Sequence, residues 1–273
     1  MSDSPVGETV FQSLGGNRWR CPRTELVVVS LPEQPLWRVF NTAFRSPLNP
    51  PCRYDLPDMS WSRFDIAGHA TLYGAAHRRG AYIEALAYAR QAAIPVHAIF
   101  PDVDPGDDPV GEEWRRLCHL PRTQVSASWR CARRAAELVL VDQGHDYYVD
   151  LAAAETLGAL RRSAQLWAPE GYVENLSRID IAGLAGADRE FTCAAANWLS
   201  DQVLADGRTL RGAKYLSKHG GDLPCWAVWV PVLPGHSVAE TVMKFAWIAQ
   251  ELPIERDDPD LRWAARQLGI TVW

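Results

Sequence analysis

Apolar positions along this chain fall into two kinds of pattern, short continuous runs and stripes with helical spacing. Leu26 to Leu31 (LVVVSL) is a continuous run closed by Pro32, and Leu36 to Phe40 (LWRVF) is a second; both predict strands. The polar, proline-rich stretch Asn41 to Pro57 follows as a loop of functional length. Ala70 to Ala75 (ATLYGA) predicts a strand, Gly80 opens a helix to about Gln91, and Ile94 to Phe100 (IPVHAIF) resumes strand character. After an acidic turn, Asp102 to Pro109, helical segments are predicted near Glu112 to Cys118 and Trp129 to Ala136. Leu138 to Leu151 sets two β-rich runs on either side of a polar turn at Asp142 to His145, which predicts a hairpin.

The second half is richer in helical spacing. A helix is predicted from Ala152 to Ser163, and the clearest from Ala187 to Leu204, where Phe191, Ala194, Ala195, Trp198, Leu199 and Val203 recur at steps of three and four. Leu210 to Ser217 and Trp226 to Val232 read as strands. Ser237-Val-Ala-Glu240 is a capping box that predicts a helix to about Glu251, and Pro259 behind two aspartates starts a last short helix. Strands and helices interleave without regular βαβ alternation, so the class is mixed α+β. No repeat and no Gly/Ser linker divides the chain, which predicts one unit over 1–273. Its core spans about 36–232, behind an amino-terminal segment 1–35 and ahead of a helical extension 236–273.

Composition narrows the functional classes. The 273 residues are 47% hydrophobic and 22% charged, and Lys plus Arg number 28 against 33 Asp plus Glu, a formal net charge of -5. Nothing in that balance draws the chain to nucleic acid or to anionic lipid, so neither is an expected partner. The first fifteen residues lack the basic start and apolar block of a signal peptide. The six cysteines contain no C-x-x-C pair, which fits free thiols in a cytoplasmic setting. Twelve tryptophans are unusual; Trp37 and Trp61 fall beside the candidate residues below, and the rest read as core.

Standard catalytic motifs are absent. No G-x-x-x-x-G-K-[ST], G-x-S-x-G or H-E-x-x-H occurs, and the seven histidines show no ligand spacing, so no metal is expected. Glu84 fits two readings equally. It could be a first-turn carboxylate favoured by the helix dipole, or a functional carboxylate among small and aromatic neighbours that leave room for a ligand. Arg38, within LWRVF, either snorkels at a sheet edge or lies on an inner face, where it must be paired or hold an anion. Ser217 in AKYLSKHGG has no base that would make it a nucleophile, and by default it is an ordinary strand-end serine.

Taken in order, these pieces resemble the RES domain, a toxin family named after its Arg, Glu and Ser. The resemblance runs from about Leu36 to Val230. Arg38 lies on an early strand, Arg63-Phe64 forms a turn with Gly68 behind it, Leu72-Tyr73 follows, and Glu84 sits on the next helix. Downstream, TCAAANWL (192–199) leads to LRGAKYLSK (210–218), similar to the family's Gly-x-x-Tyr-x-Ser-Arg strand. Asp65 stands where the family more often has Asn, Lys218 replaces the usual Arg, and the tail beyond His236 is additional.

The resemblance implies a fold similar to the ADP-ribosyltransferase toxins, a split, mixed β-core with helices around it, and an NAD-consuming activity. It implies Glu84 at the ribose, Arg38 and Arg63 on phosphate, Tyr73 as a platform for nicotinamide and Ser217 as a positioning donor, with NAD as substrate. It also implies a cognate antitoxin protein as partner. NAD cleavage to water or phosphate, ADP-ribosylation of a protein, and a non-catalytic scaffold are the three functions this leaves in view.

Overall fold

A computed structural model describes residues 11–54, 56–58, 60–87, 124–144, 146–232 and 235–273. The strand expected at 94–100, the acidic turn 102–109, the helix 112–118 and the last residues of the helix expected to reach Gln91 lie outside the described residues. The described chain is a mixed α+β structure. Its strands are β1 (Gln12–Ser13), β2 (Arg18–Arg20), β3 (Val27–Val29), β4 (Leu36–Asn41), β5 (His69–Ala75), β6 (Gln124–Val125), β7 (Arg133–Leu140), β8 (Tyr148–Asp150), β9 (Gly212–Ser217), β10 (Gly220–Pro231), β11 (Ala246–Pro253) and β12 (Thr271–Val272). Ten of them form one sheet in the order β1-β2-β3-β8-β9-β10-β5-β4-β7-β11, antiparallel except at β8–β9, while β6 and β12 pair separately and in parallel.

Burial on both faces explains the apolar runs. On β10, Ala227 and Trp229 face one core and Val228 and Val230 another, so the strand reads as hydrophobic throughout while keeping the two-residue period of a strand. The first core packs Val28, Val149 and Ala213 of the sheet against the helices Ala154–Arg162 and Arg189–Ser200 through Leu160, Phe191, Ala195 and Leu199. The second gathers Leu36, Leu72 and Leu138 with Val242 and Ala246. A third joins Tyr82, Ile83 and Leu86 of the helix Arg78–Leu86 to Leu261, Ala264, Ala265 and Leu268 of the helix Pro259–Leu268. Close approach decides one glycine. A Cβ at Gly212 would lie 2.1 Å from the Ala227 carbonyl oxygen and 2.8 Å from the Tyr148 ring, so only hydrogen fits where β9 enters between β8 and β10.

Four local expectations are corrected. The runs either side of 142–145 do not form a hairpin: β7 pairs with β4 and β11, whereas β8 pairs with β3 and β9. The turn itself is real, closed by Asp142 Oδ1 accepting from the Gly144 and Asp146 amides, but it carries the chain between halves of the sheet. The helix expected at 129–136 spans only Ala127–Cys131, and β7 takes Ala135 and Ala136 into the sheet as buried residues. The helix expected from Ser237 to Glu251 stops at Val242, although Ser237 caps it by accepting from the Glu240 amide at 3.1 Å. Residues Ala246–Pro253 are instead β11, because β7 offers them an unpaired edge. Finally, the stripe on the helix at 187–204 is shifted: Phe191, Ala195 and Leu199 are buried, Ala194 and Trp198 are half-buried, and Val203 is exposed beyond the helix end.

Candidate active site

The sheet order brings the candidate residues together. Arg38 on β4, Tyr73 on β5, Cys225 on β10 and Tyr215 on β9 come from four consecutive strands, and all line one cleft of about 410 Å³. Arg63, Glu84, Arg189, Lys218, Trp37 and Trp61 complete its charged and aromatic lining. A cleft of this size lies within the range of small-molecule sites, about 300–1,000 Å³.

Glu84 is held from two sides. Ser217 Oγ donates to Glu84 Oε1 at 2.5 Å, and Arg63 Nη2 makes a longer contact with Oε2 at 3.5 Å. Ser217 is buried at 4% exposure and accepts in turn from the His219 amide at 3.2 Å, so its hydroxyl proton is committed to the carboxylate. The helix begins at Arg78, which removes one of the two readings of Glu84: the residue lies past the first turn, where the dipole would have favoured it. Its neighbours Ala81 and Ala87, each three residues away along the helix, also line the cleft.

Two guanidinium groups bring unused donors. Arg38 is not a snorkelling edge residue; β4 is an interior strand, and Arg38 Nη1 donates to the Tyr73 carbonyl at 3.0 Å. Its Nε is buried and has no hydrogen-bond partner among the described residues, and neither has Arg63 Nη1. Burial pulls Arg38 down to about 10, offset in part by Tyr73 and Asp65, so it stays cationic at neutral pH. Arg63 is stacked, its guanidinium carbon 4.9 Å from the Tyr215 ring centroid and 5.7 Å from that of Phe64. A buried cationic N–H without a partner is costly, and both arginines line the cleft, where guanidinium edges suit an anionic ligand.

The loop carrying Arg63 is fixed through its own backbone. Arg189 Nε donates to the Trp61 carbonyl at 2.8 Å, the Cys193 thiol to the Ser62 carbonyl at 3.4 Å, and Trp229 Nε1 to the Phe64 carbonyl at 2.9 Å. Asp65 Oδ2 accepts from the Ser62 amide at 2.9 Å, and Tyr73 Oη accepts from the Phe64 amide at 3.0 Å while donating to Asp65 Oδ1 at 2.8 Å. Gly68 behind the loop has φ +74°, a left-handed conformation that suits glycine. Burial raises Asp65 above the ordinary carboxylate value, against the hydrogen bonds from Ser62 and Tyr73, and burial beside Asp65 raises Tyr73 so that it keeps its proton.

All five residues singled out by motif order therefore meet: Arg38, Arg63, Tyr73 and Glu84 line the cleft, and Ser217 bonds to Glu84 from behind. Sequence reasoning noted Asp65 and Lys218 only as departures, gave Tyr215 a place in the strand motif but no role in the site, and missed Arg189, Cys193 and Trp229. Arg189 did carry a signal. A cation in the first turn of a helix opposes the helix dipole, and that local misfit marks a side chain used elsewhere.

Among the described residues no group of three or more His, Cys, Asp or Glu side chains is placed to hold a metal ion. Nor is any described helix long and apolar enough to cross a membrane. No protein family, no curated protein and no solved structure matches the chain.

Proposed function

We propose that this protein cleaves the bond between nicotinamide and ribose in NAD, as a RES-like enzyme on an ADP-ribosyltransferase-like core. The observation that carries the reading is a fixed carboxylate, Glu84, in the same cleft as two buried guanidiniums with unsatisfied donors, Arg38 Nε and Arg63 Nη1. A dinucleotide presents matching groups: pyrophosphate oxygens for the guanidiniums and ribose hydroxyls for the carboxylate. Nicotinamide leaves as a neutral base from a cationic substrate, so no general acid is required. The C1′–N bond breaks with its electron pair going to nicotinamide, positive charge grows on the ribose, and Glu84 stabilises it. Water or inorganic phosphate then adds through oxygen to C1′ on the opposite face, and water releases its proton to solvent.

In this scheme Ser217 acts through Glu84. Its hydrogen bond keeps one carboxylate oxygen engaged and orients the other toward the ribose, an electrostatic arrangement set before substrate arrives. Tyr73 offers its ring to the cleft while its hydroxyl braces the Arg63 loop.

The test is nicotinamide release from NAD by purified protein, measured with and without phosphate. Release that requires phosphate identifies phosphorolysis, and release without it identifies hydrolysis. Label transferred from NAD into a lysate protein, with no release from NAD alone, replaces the reading by a protein ADP-ribosyltransferase. Neither signal leaves the scaffold. In cells, growth arrest on expression that is relieved by Glu84→Ala supports a toxin restrained by an antitoxin protein.

A further inference from the structure

The helix that carries Glu84 has no cap of its own. His77 at its N-cap position makes no side-chain hydrogen bond to it, and its first turn holds no acid. Two basic residues, Arg78 and Arg79, occupy that first turn, where the dipole disfavours them. Something else must fix the start of this helix. Arg78 Nε donates to Asp260 Oδ2 at 2.8 Å and its Nη2 lies 3.3 Å from Asp258 Oδ1, while Tyr82 Oη donates to Asp258 Oδ2 at 2.8 Å.

Asp258 serves two helices with one carboxylate. It is the N-cap of Pro259–Leu268, its Oδ1 accepting from the Asp260 amide at 2.9 Å and the Leu261 amide at 3.3 Å, and it receives Arg78 and Tyr82 from the Glu84 helix. Its side chain is 7% exposed, so nearly all of its hydrogen-bonding capacity is spent on these partners. Burial and the neighbouring Asp258 push the Tyr82 hydroxyl far up, which keeps it a donor. Arg78 also packs over the Trp37 ring at 5.5 Å. Arg78 and Tyr82 are four residues apart on one face of the helix, and Ala81, Glu84 and Ala85 share the face that lines the cleft.

We infer that Asp258 is a positioning residue for the Glu84 carboxylate, acting through Tyr82 and Arg78 to hold the helix at the cleft wall. This rests on the NAD-cleaving reading for its kinetic consequence, but its mechanical content does not. A carboxylate whose main contribution comes in the transition state loses rate far more than substrate affinity when its helix drifts. The C-terminal segment is then part of the catalytic apparatus at one remove.

The experiment pairs steady-state nicotinamide release with hydrogen exchange, on wild type, Asp258→Ala, Asp258→Asn and Tyr82→Phe. Asp258→Ala is expected to lower kcat about 100-fold with KM unchanged, in line with what small displacements of a reacting group cost. Tyr82→Phe keeps the ring in its core and is expected to lose about tenfold. Asp258→Asn keeps an acceptor and recovers most of the rate. Amides of residues 78–86 exchange faster in Asp258→Ala and Tyr82→Phe, while those of β9 do not change. If Asp258→Ala fails to fold, Tyr82→Phe decides. Unchanged kcat, a rise in KM alone, or unchanged exchange over 78–86 each overturns the inference. If wild type releases no nicotinamide, the NAD reading falls, and the exchange result by itself decides whether Asp258 holds the helix.

Discussion

Two segments deliver the central charges of the cleft, and they are held by opposite means. The loop Trp61–Asp65 closes one turn of its own, the Asp65 amide donating to the Ser62 carbonyl, and otherwise leans on side chains of Asp65, Tyr73, Arg189, Cys193 and Trp229. The helix Arg78–Leu86 satisfies its own backbone and is steered by two side chains, Arg78 and Tyr82, that reach the C-terminal helix. An irregular segment can be made as rigid as a helix, but only by spending one partner per main-chain group. The two holdings also fail differently. On the proposed reading, loosening the loop disturbs a phosphate grip used alike in ground and transition states, whereas loosening the helix disturbs a group whose main contribution comes in the transition state.

The comparison can be broken at several points. Glu84→Gln keeps an acceptor for Ser217 and removes only the charge; nicotinamide release should fall on the order of 10³-fold, with thermal stability little changed. An active Glu84→Gln enzyme would remove the carboxylate from the mechanism altogether. Asp65→Ala strands the Ser62 amide and the Tyr73 hydroxyl, a loss of about 2–4 kcal/mol in urea unfolding, and should raise KM more than it lowers kcat. Arg189→Ala frees one carbonyl of the loop and should cost about 1–2 kcal/mol, again with the kinetic effect in KM.

The smallest effect is a pH dependence. Asp65 has a folded pKa raised above its ordinary 3.8, so the native state holds this proton more readily than the unfolded chain. That contribution to stability is present at low pH and is lost as pH rises from 3.8 through the folded value. The stability of wild type relative to Asp65→Asn should therefore fall across that window and then level off. A difference that grows with pH would mean that the hydrogen bonds from Ser62 and Tyr73 outweigh burial.

Much of the frame was legible in the chain because interior strands carry mainly apolar, β-rich runs. LWRVF, ATLYGA and LRGAKYLS became β4, β5 and β9 for that reason. β11 was not, because an edge strand with exposed Trp247, Gln250 and Glu251 lacks that run and follows a genuine helix cap. The hairpin expectation failed since a turn signal is local while the choice of strand partner is not. The same division holds in the site. Arg38, Arg63, Tyr73, Glu84 and Ser217 were found through motif order, but Arg189 reaches the Trp61 carbonyl across 128 residues and Trp229 reaches Phe64 across 165, distances at which no local pattern speaks.

Those same separations set an order of assembly. β5 is flanked by β10 and β4, Ser217 meets Glu84 across 133 residues, and Asp258 meets Tyr82 across 176. Contacts this distant form slowly and late. A chain growing from its amino end carries Glu84 long before it carries Ser217, which bonds to it, and Asp258, which holds its helix. On the proposed reading, the wall of the cleft that carries Glu84 is complete only once the last helix docks.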